Sequence, residues 1–322
     1  MLKQLTKIVS ITSFSITLTA TAFAGTIELP AEHTFPEGVT VSSNGTFYIG
    51  SMKEGSISRA LPGESKATAF IEAGSNGLVS VLGLYVDETD NVLWACSSDA
   101  GHLGYGVSNL MGTNPPAVKS FDLTTGAAKG SFDLPGGGFC NDLTMDKKGT
   151  LYVTDSWSPR ILKLPRAGTK LVEWINDTGL GADQWSLNGI DVDNSLDLIY
   201  VVNQKLGALW QIPIQANGSS GTPAQISLSK ELRSPDGLKL IGPNTLAAAE
   251  GGSGGMSIIH MNQTEQKGEV SRVSDGLDGI ATFAYHKGSA WIVEAQGGSF
   301  WCAPDSCAKP SPPFRLVEVS LP

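Results

Sequence analysis

The sequence predicts an all-β fold, a six-bladed β-propeller with four-stranded blades, on three observations. One hairpin pattern recurs six times at blade-sized intervals. Charged residues are only 16% of the chain while glycines number 38, which suits many short strands and turns. No helical periodicity of useful length follows the N-terminus.

The pattern is clearest from Phe139 to Ser156, FCNDLTMDKKGTLYVTDS. Leu143 and Met145 alternate with polar neighbours, Asp146-Lys147-Lys148-Gly149 makes a turn, and Leu151-Tyr152-Val153 returns as a second strand. An antiparallel return brings Asn141 at the entry and Asp155 at the exit to the same end of the pair. Each copy therefore has a polar end and a turn end.

Taken in order, the copies begin at Pro36 (PEGVTVSSNGTFYIGS), Val81 (VLGLYVDETDNVLWACS), Cys140, Leu187 (LNGIDVDNSLDLIYVVN), Pro235 (PDGLKLIGPNTLAAAE) and Leu277 (LDGIATFAYHKGSAWIVE). Their entry residues are Glu37, Leu82, Asn141, Asn188, Asp236 and Asp278, at intervals of 45, 59, 47, 48 and 42 residues by subtraction of those numbers. Each interval accommodates four short strands. Outer strands are expected at Arg160 to Leu164, Lys170 to Trp174 and Ala208 to Ile212. Thr26 to Leu29 and Arg315 to Leu321 are the segments expected to pair and close the ring, which removes exposed sheet edges. The longest interval holds an insertion from about Gly101 to Pro116, placed at the polar end, where it would cover the central channel.

Residues 1–24 read as a signal peptide. Lys3 and Lys7 precede an apolar, hydroxyl-rich run from Ile8 to Ala22, and Ala22-Phe23-Ala24 forms an A-x-A cleavage site. The run is short and rich in Ser and Thr for a membrane anchor, no other segment is long and apolar enough to span a bilayer, and residues 25–322 are expected to form one secreted or periplasmic propeller domain. Removing Lys3 and Lys7 leaves 20 of the 22 basic residues against 31 acidic ones, a net charge of about −11. Such a surface disfavours nucleic acid and anionic membranes. A monomer is the expected state.

Export places the cysteines in an oxidising compartment. Cys302 and Cys307, with four residues between them in a short loop, are expected to form a disulfide. Cys96 and Cys140 sit in adjacent repeats at the polar end, either paired there or present as two buried thiols.

In a propeller the first strand of every blade lines the central channel, so the entry residues converge. Glu37, Asn141, Asn188 and Asp236 offer carboxylate and amide oxygens with no Cys or His, the donor set of a hard cation, Ca²⁺ first and Mg²⁺ or Mn²⁺ next. Asn-Asp, Asn-Gly and Asp-Gly at a strand start also occur as turn formers, but four such positions at one phase of a repeat, with Glu once in place of a turn former, point to a shared site.

On those four residues, in the contexts FPEG, FCND, SLNG and SPDG, the chain resembles the senescence-marker-protein/gluconolactonase family of six-bladed propellers, related to diisopropylfluorophosphatase and the paraoxonases. The resemblance covers most of the chain after residue 24. It implies a divalent cation held by Glu37, Asn141, Asn188 and Asp236, and hydrolysis of a lactone, ester or phosphoester. Asp236 then stands as base or nucleophile, and Asn141 contacts both metal and substrate. Sugar-lactone hydrolases of this family carry an Arg where this chain has Phe139, which shifts the expectation toward a less polar lactone or ester. A His expected near the sixth entry in phosphotriesterase-like members is replaced by Asp278.

Further candidates are weaker. Asp278 reads as an additional ligand, a base or a turn residue. Trp157 and Trp185 flank the third and fourth entries as aromatic walls or as packing between blades. His102 is the one histidine placed to reach the channel mouth, while His33 and His260 read as structural and His286 falls in a turn. Arg160 is either a guanidinium near the site or a surface residue. The exit residues Asp155, Asn203, Glu250 and Glu294 form either a rim to the site or ties to the crossing loops. Gly251 to Gly255 carries a Ser between glycines but has no helix after it and reads as a loop. The rival function is a non-catalytic propeller that binds a ligand or protein around a structural ion.

Overall fold

The computed structural model describes residues 25–103, 115–181, 185–299 and 308–322. The signal-peptide reading, most of the insertion, Cys302 and Cys307 lie outside those residues. The chain enters through β1 (Thr26–Glu28), and six sheets follow in sequence order. Blade 1 is β2 (Pro36–Val41), β3 (Phe47–Ser51), β4 (Ile57–Ala60) and β5 (Thr68–Ile71). Blade 2 is β6 (Ser80–Asp87), β7 (Val92–Ser98), β8 (Ala117–Asp122) and β9 (Ala128–Asp133). Blade 3 is β10 (Cys140–Met145), β11 (Leu151–Asp155), β12 (Arg160–Leu164) and β13 (Val172–Asn176).

Blade 4 is β14 (Leu187–Asp193), β15 (Leu198–Asn203), β16 (Ala208–Pro213) and the short β17 (Ala224–Gln225). Blade 5 departs from four strands, because β18 (Ser227–Leu228) adds in parallel to the outer edge formed by β22 (Lys267–Ser274), beyond β21 (Gly255–Asn262), β20 (Thr245–Glu250) and β19 (Pro235–Gly242). Blade 6 is β23 (Ile280–His286), β24 (Ser289–Glu294) and β25 (Arg315–Ser320), completed by β1. Thr26 pairs with Val317 and Glu28 with Arg315, so the two expected segments close the ring.

Apolar side chains alternate along the strands and pack between neighbouring blades. Ile161, Leu187, Ile190 and Val201 fill the space between blades 3 and 4, and Val202, Leu238, Leu246 and Ile259 the space between blades 4 and 5. Among the described residues no helix is long and apolar enough to cross a membrane.

One irregularity recurs in all six blades and places the site. The first strand of each blade leaves register with the second directly after its first turn of pairing, between Pro36 and Val39, Val81 and Leu84, Cys140 and Leu143, Leu187 and Ile190, Pro235 and Leu238, and Ile280 and Phe283. Such bulges kink the strand and free two residues from the ladder. The second of the two is glycine in four blades, for a steric reason. A Cβ on Gly38 would stand 1.9 Å from the Leu82 carbonyl oxygen, and one on Gly237 would stand 2.1 Å from Thr282 Oγ1. Neighbouring first strands therefore approach closely enough to form a narrow channel.

The register corrects one assignment. Ile280 pairs with Glu294 as Pro235 pairs with Glu250, so the sixth ring residue is Ala281 and not Asp278. Asp278 is exposed on the crossing loop before the strand, where its N–H donates to Glu294 Oε1 at 3.3 Å and its carbonyl accepts from the Gln296 N–H.

Cys96 and Cys140 form a disulfide with a Cα–Cα distance of 5.3 Å, tying β7 to the residue before Asn141. Ser98 Oγ adds a hydrogen bond to the Cys140 carbonyl at 3.1 Å. The link fits an oxidising compartment. It spans 44 residues, and a loop of that size stabilises the folded chain by about 2–4 kcal/mol. The double variant Cys96→Ala/Cys140→Ala is expected to lose that much in a denaturant titration; an unchanged midpoint would show that the link adds no stability.

Candidate active site

The six ring residues meet as the repeat phase requires. Glu37, Leu82, Asn141, Asn188, Asp236 and Ala281 line one small chamber at the polar end of the channel. Leu82 and Ala281 are apolar, so four oxygen-bearing side chains occupy blades 1, 3, 4 and 5. The chamber measures about 40 Å³, enough for an ion with a few waters and too small for an acyl group.

A second chamber of about 480 Å³ opens above it, lined by Ser234, Gly251, Gly252 and Gly297. The two share Trp185, Gln204, Asp236, Gly279 and Ile280. Asp236 thus stands at the threshold, with its carboxyl available to both. Gln204, on the loop after β15, was not singled out from the sequence. Its backbone N–H donates to the Ser186 carbonyl, and its Nε2 donates to Asp236 Oδ2 at 3.3 Å.

Electrostatics at the ring favour a cation. Burial, reinforced by the charge of Asp142, pushes the Asp236 carboxyl up to about 8, with a hydrogen bond from the Asn188 side chain opposing. Burial and the charges of Asp236 and Asp142 also raise Glu37 well above its ordinary value, and Lys239 opposes that rise. Among the described residues, Glu37 Oε2 and Asp236 Oδ1 are buried oxygens with no hydrogen-bond partner. Two bare carboxylate oxygens that repel one another in an ion-sized chamber, beside two amides, are the donors that a hard divalent cation takes. The residues present fit such an ion.

Three charged residues below the ring had no place in the entry-residue pattern. Asp142 occupies a bulge position that is glycine in four other blades, and its carboxylate accepts from Leu143 N–H at 2.9 Å and Ile190 N–H at 3.3 Å. Lys239 Nζ stands 3.3 Å from Asp142 Oδ2. Asp191 accepts from Thr144 Oγ1 at 3.0 Å and from Leu240 N–H at 2.7 Å. The signal for Asp142 was its departure from glycine; for Lys239 and Asp191, it was charge at a strand phase that faces neighbouring first strands.

The aromatic candidates divide. Phe139 and Trp185 line the inner chamber, and their rings meet edge to face at 5.2 Å between centroids. Trp157 is outside the lining of both chambers and backs Phe139 in a stack at 5.7 Å. Trp185 holds a positive φ of 62°, an uncommon backbone state for a bulky residue that turns it over the channel. His102 falls in a short 3-10 turn, Ala100–Leu103, and its side chain lies outside the described residues.

The exit residues serve the crossing loops. Asp155 accepts from the N–H groups of Phe139 and Trp157, each at 2.9 Å, and from Arg160 Nε at 2.9 Å. Arg160 also donates to the carbonyls of Pro135 and Gly137, so its guanidinium is spent in fixing the loop that carries Phe139 and does not face a substrate. Asn203 holds the Leu180 carbonyl and the Leu206 N–H, Glu250 holds Arg272 and the Arg233 N–H, and Glu294 holds Arg315.

No protein-family model and no curated protein matches this sequence. Solved structures share its fold. The major allergen Mala s 1 of Malassezia sympodialis superposes with a TM-score of 0.69 at 14% identity, over 93% of this chain and 97% of that one. A calcium-binding protein, regucalcin, from Agrobacterium tumefaciens strain C58 gives 0.65 at 16% identity, over 93% and 96%. Virginiamycin B lyase from Staphylococcus aureus gives 0.58 at 15% identity, over 92% and 98%. At such identities the likeness carries the fold and nothing finer.

Ion-free protein should show the strain of the ring directly. Asp236 binds its proton up to about pH 8 when folded, against 3.8 for the ordinary group. The native state therefore holds a proton that the unfolded chain has released, and its stability falls as pH rises from about 4 to about 8. Asp236→Asn, which cannot titrate, should flatten this slope. Urea unfolding of both proteins in EDTA across that range measures it; parallel slopes would contradict the assignment.

Proposed function

We propose that this chain is an exported, metal-dependent hydrolase of a lactone or ester. The observation that carries the reading is the pair of bare, buried carboxylate oxygens, Glu37 Oε2 and Asp236 Oδ1, in an ion-sized chamber that opens through Asp236 into one of substrate size. The disulfide between Cys96 and Cys140 supports export.

Glu37, Asn141, Asn188 and Asp236 would hold the divalent cation, Ca²⁺ by preference for this all-oxygen set. When bound, the ion supplies Lewis-acid polarisation of an acyl oxygen. The remaining chemistry falls to the chain. Trp185 and Ile280 line the outer chamber with apolar surface and exclude bulk water from the reacting carbonyl. Among the described residues that line the two chambers there is no Lys, Arg or His, which favours a neutral lactone or ester over a sugar acid or a phosphoester.

Gln204 binds Asp236 Oδ2 and leaves Oδ1 directed to the chemistry. The Asp236 carboxylate takes the proton from a water as that water's oxygen bonds to the carbonyl carbon; the ring or ester C–O bond then breaks and the alkoxide leaves with that proton. In the nucleophilic alternative the carboxylate attacks the carbon itself, the alkoxide leaves with a proton from water, and the resulting hydroxide hydrolyses the acyl–Asp236 anhydride to the product acid and the free carboxylate. Asn141 contacts the substrate oxygen from the opposite side of the ring.

Initial rates on a panel of lactones and aryl esters test the reading. Activity should disappear in EDTA and return with Ca²⁺. Asp236→Asn should lower turnover by about 10²- to 10⁴-fold while the protein stays folded by circular dichroism. Activity indifferent to both EDTA and the variant would overturn the mechanism, and folded protein inert toward every substrate would leave a binding platform.

A further inference from the structure

Lys239 reaches past a blade. It belongs to the first strand of blade 5, yet its ammonium stands 3.3 Å from Asp142 in blade 3, while Asp142 is bonded to the Ile190 N–H of the intervening blade 4. A side chain that spans from the fifth blade to the third crosses the channel. Glu37, from blade 1, and Asp191, from blade 4, both feel its charge. The ammonium is thus surrounded by groups from most of the ring.

Four of the five other side chains in its tier carry oxygen. At the register position that Lys239 holds in blade 5, the other first strands present Thr40, Tyr85, Thr144, Asp191 and Ala284. Asp191 is fixed by Thr144 Oγ1 at 3.0 Å and by the N–H groups of Val192 at 2.9 Å and Leu240 at 2.7 Å. Asp142 is fixed by two backbone N–H groups. Neither carboxylate can turn away, and a single ammonium stands against both. Enclosed carboxylates without a counter-charge are strongly disfavoured, so this tier calls for a cation.

We infer that Lys239 is a resident cation, its ammonium filling the lower of two cation positions stacked along the channel, so that the channel accepts one divalent ion where it would otherwise accept two. That the upper position takes an ion rests on the function proposed above; that the lower one is filled by Lys239 does not. Shortening the side chain to Ala leaves Asp142 and Asp191 facing a void the length of three methylenes and an ammonium, open to a hydrated Ca²⁺.

Calcium titration calorimetry on the EDTA-treated protein and on Lys239→Ala decides the matter. The expected result is one Ca²⁺ per chain for the parent and two for Lys239→Ala, with propylammonium chloride displacing one of the two by refilling the position. One ion in both proteins, or two in the parent, would overturn the inference. No ion in the parent and one in Lys239→Ala would support it while removing the ring reading. If Lys239→Ala does not fold, the melting temperature of Lys239→Gln with and without Ca²⁺ replaces the titration. A larger Ca²⁺-induced rise than in the parent supports the resident cation, and an equal or smaller rise overturns it.

Discussion

The crowding of carboxylates into one narrow channel is the constraint on which the rest of this molecule depends. Glu37, Asp142 and Asp236 come from three different blades and act on one another across the axis, and Asp191 of a fourth blade is joined to them through Lys239. Like charges at short range in an enclosed space push strands apart. They are held together by what surrounds them. Glycine at the bulge lets neighbouring first strands nearly touch, apolar layers grip each pair of blades, β1 seals the last sheet, and the disulfide anchors the strand that carries Asn141. A looser scaffold would relieve the repulsion by opening, and the cation-seeking character of the site would go with it.

The same constraint assigns different work to acids that look alike in sequence. Asp155, Glu250 and Glu294 sit one strand away from the ring, at the exits, where each meets an Arg and backbone N–H groups. Their charges are matched, so they act as fasteners. Glu37 and Asp236 keep an oxygen without a partner. Whether a buried acid is satisfied separates structure from chemistry here more sharply than its position along the repeat.

That distinction also marks how far the sequence was legible. Repeat phase alone located the blades, the closing strands and five of the six ring residues, because hairpin spacing and strand alternation are local properties. It failed at Asp278, where the motif LDG imitates SPDG. The apolar register, with Ile280 opposite Glu294, shifts the strand by three residues and brings the last interval from 42 to 45. Gln204 was missed because it enters from a crossing loop whose path no periodicity describes. Lys239 was missed because a lysine at a strand position reads as solvated until the strands around it are known to enclose it. Trp157 and Arg160 were correctly placed near the third entry, but their orientation depends on the fixed loop from Pro135 to Phe139.

The pairing of β1 with β25 has a topological consequence. Because the first and last strands lie side by side in one sheet, with Thr26 opposite Val317, the ring has no natural seam in space, only in the order of synthesis. Joining these strands by a short linker and cutting instead at an exposed turn, such as Lys147-Lys148 on the face away from the site, would preserve every blade and the whole channel. Circular permutation would move the point of closure from blade 6 to blade 3, and with it the step that folding must complete last.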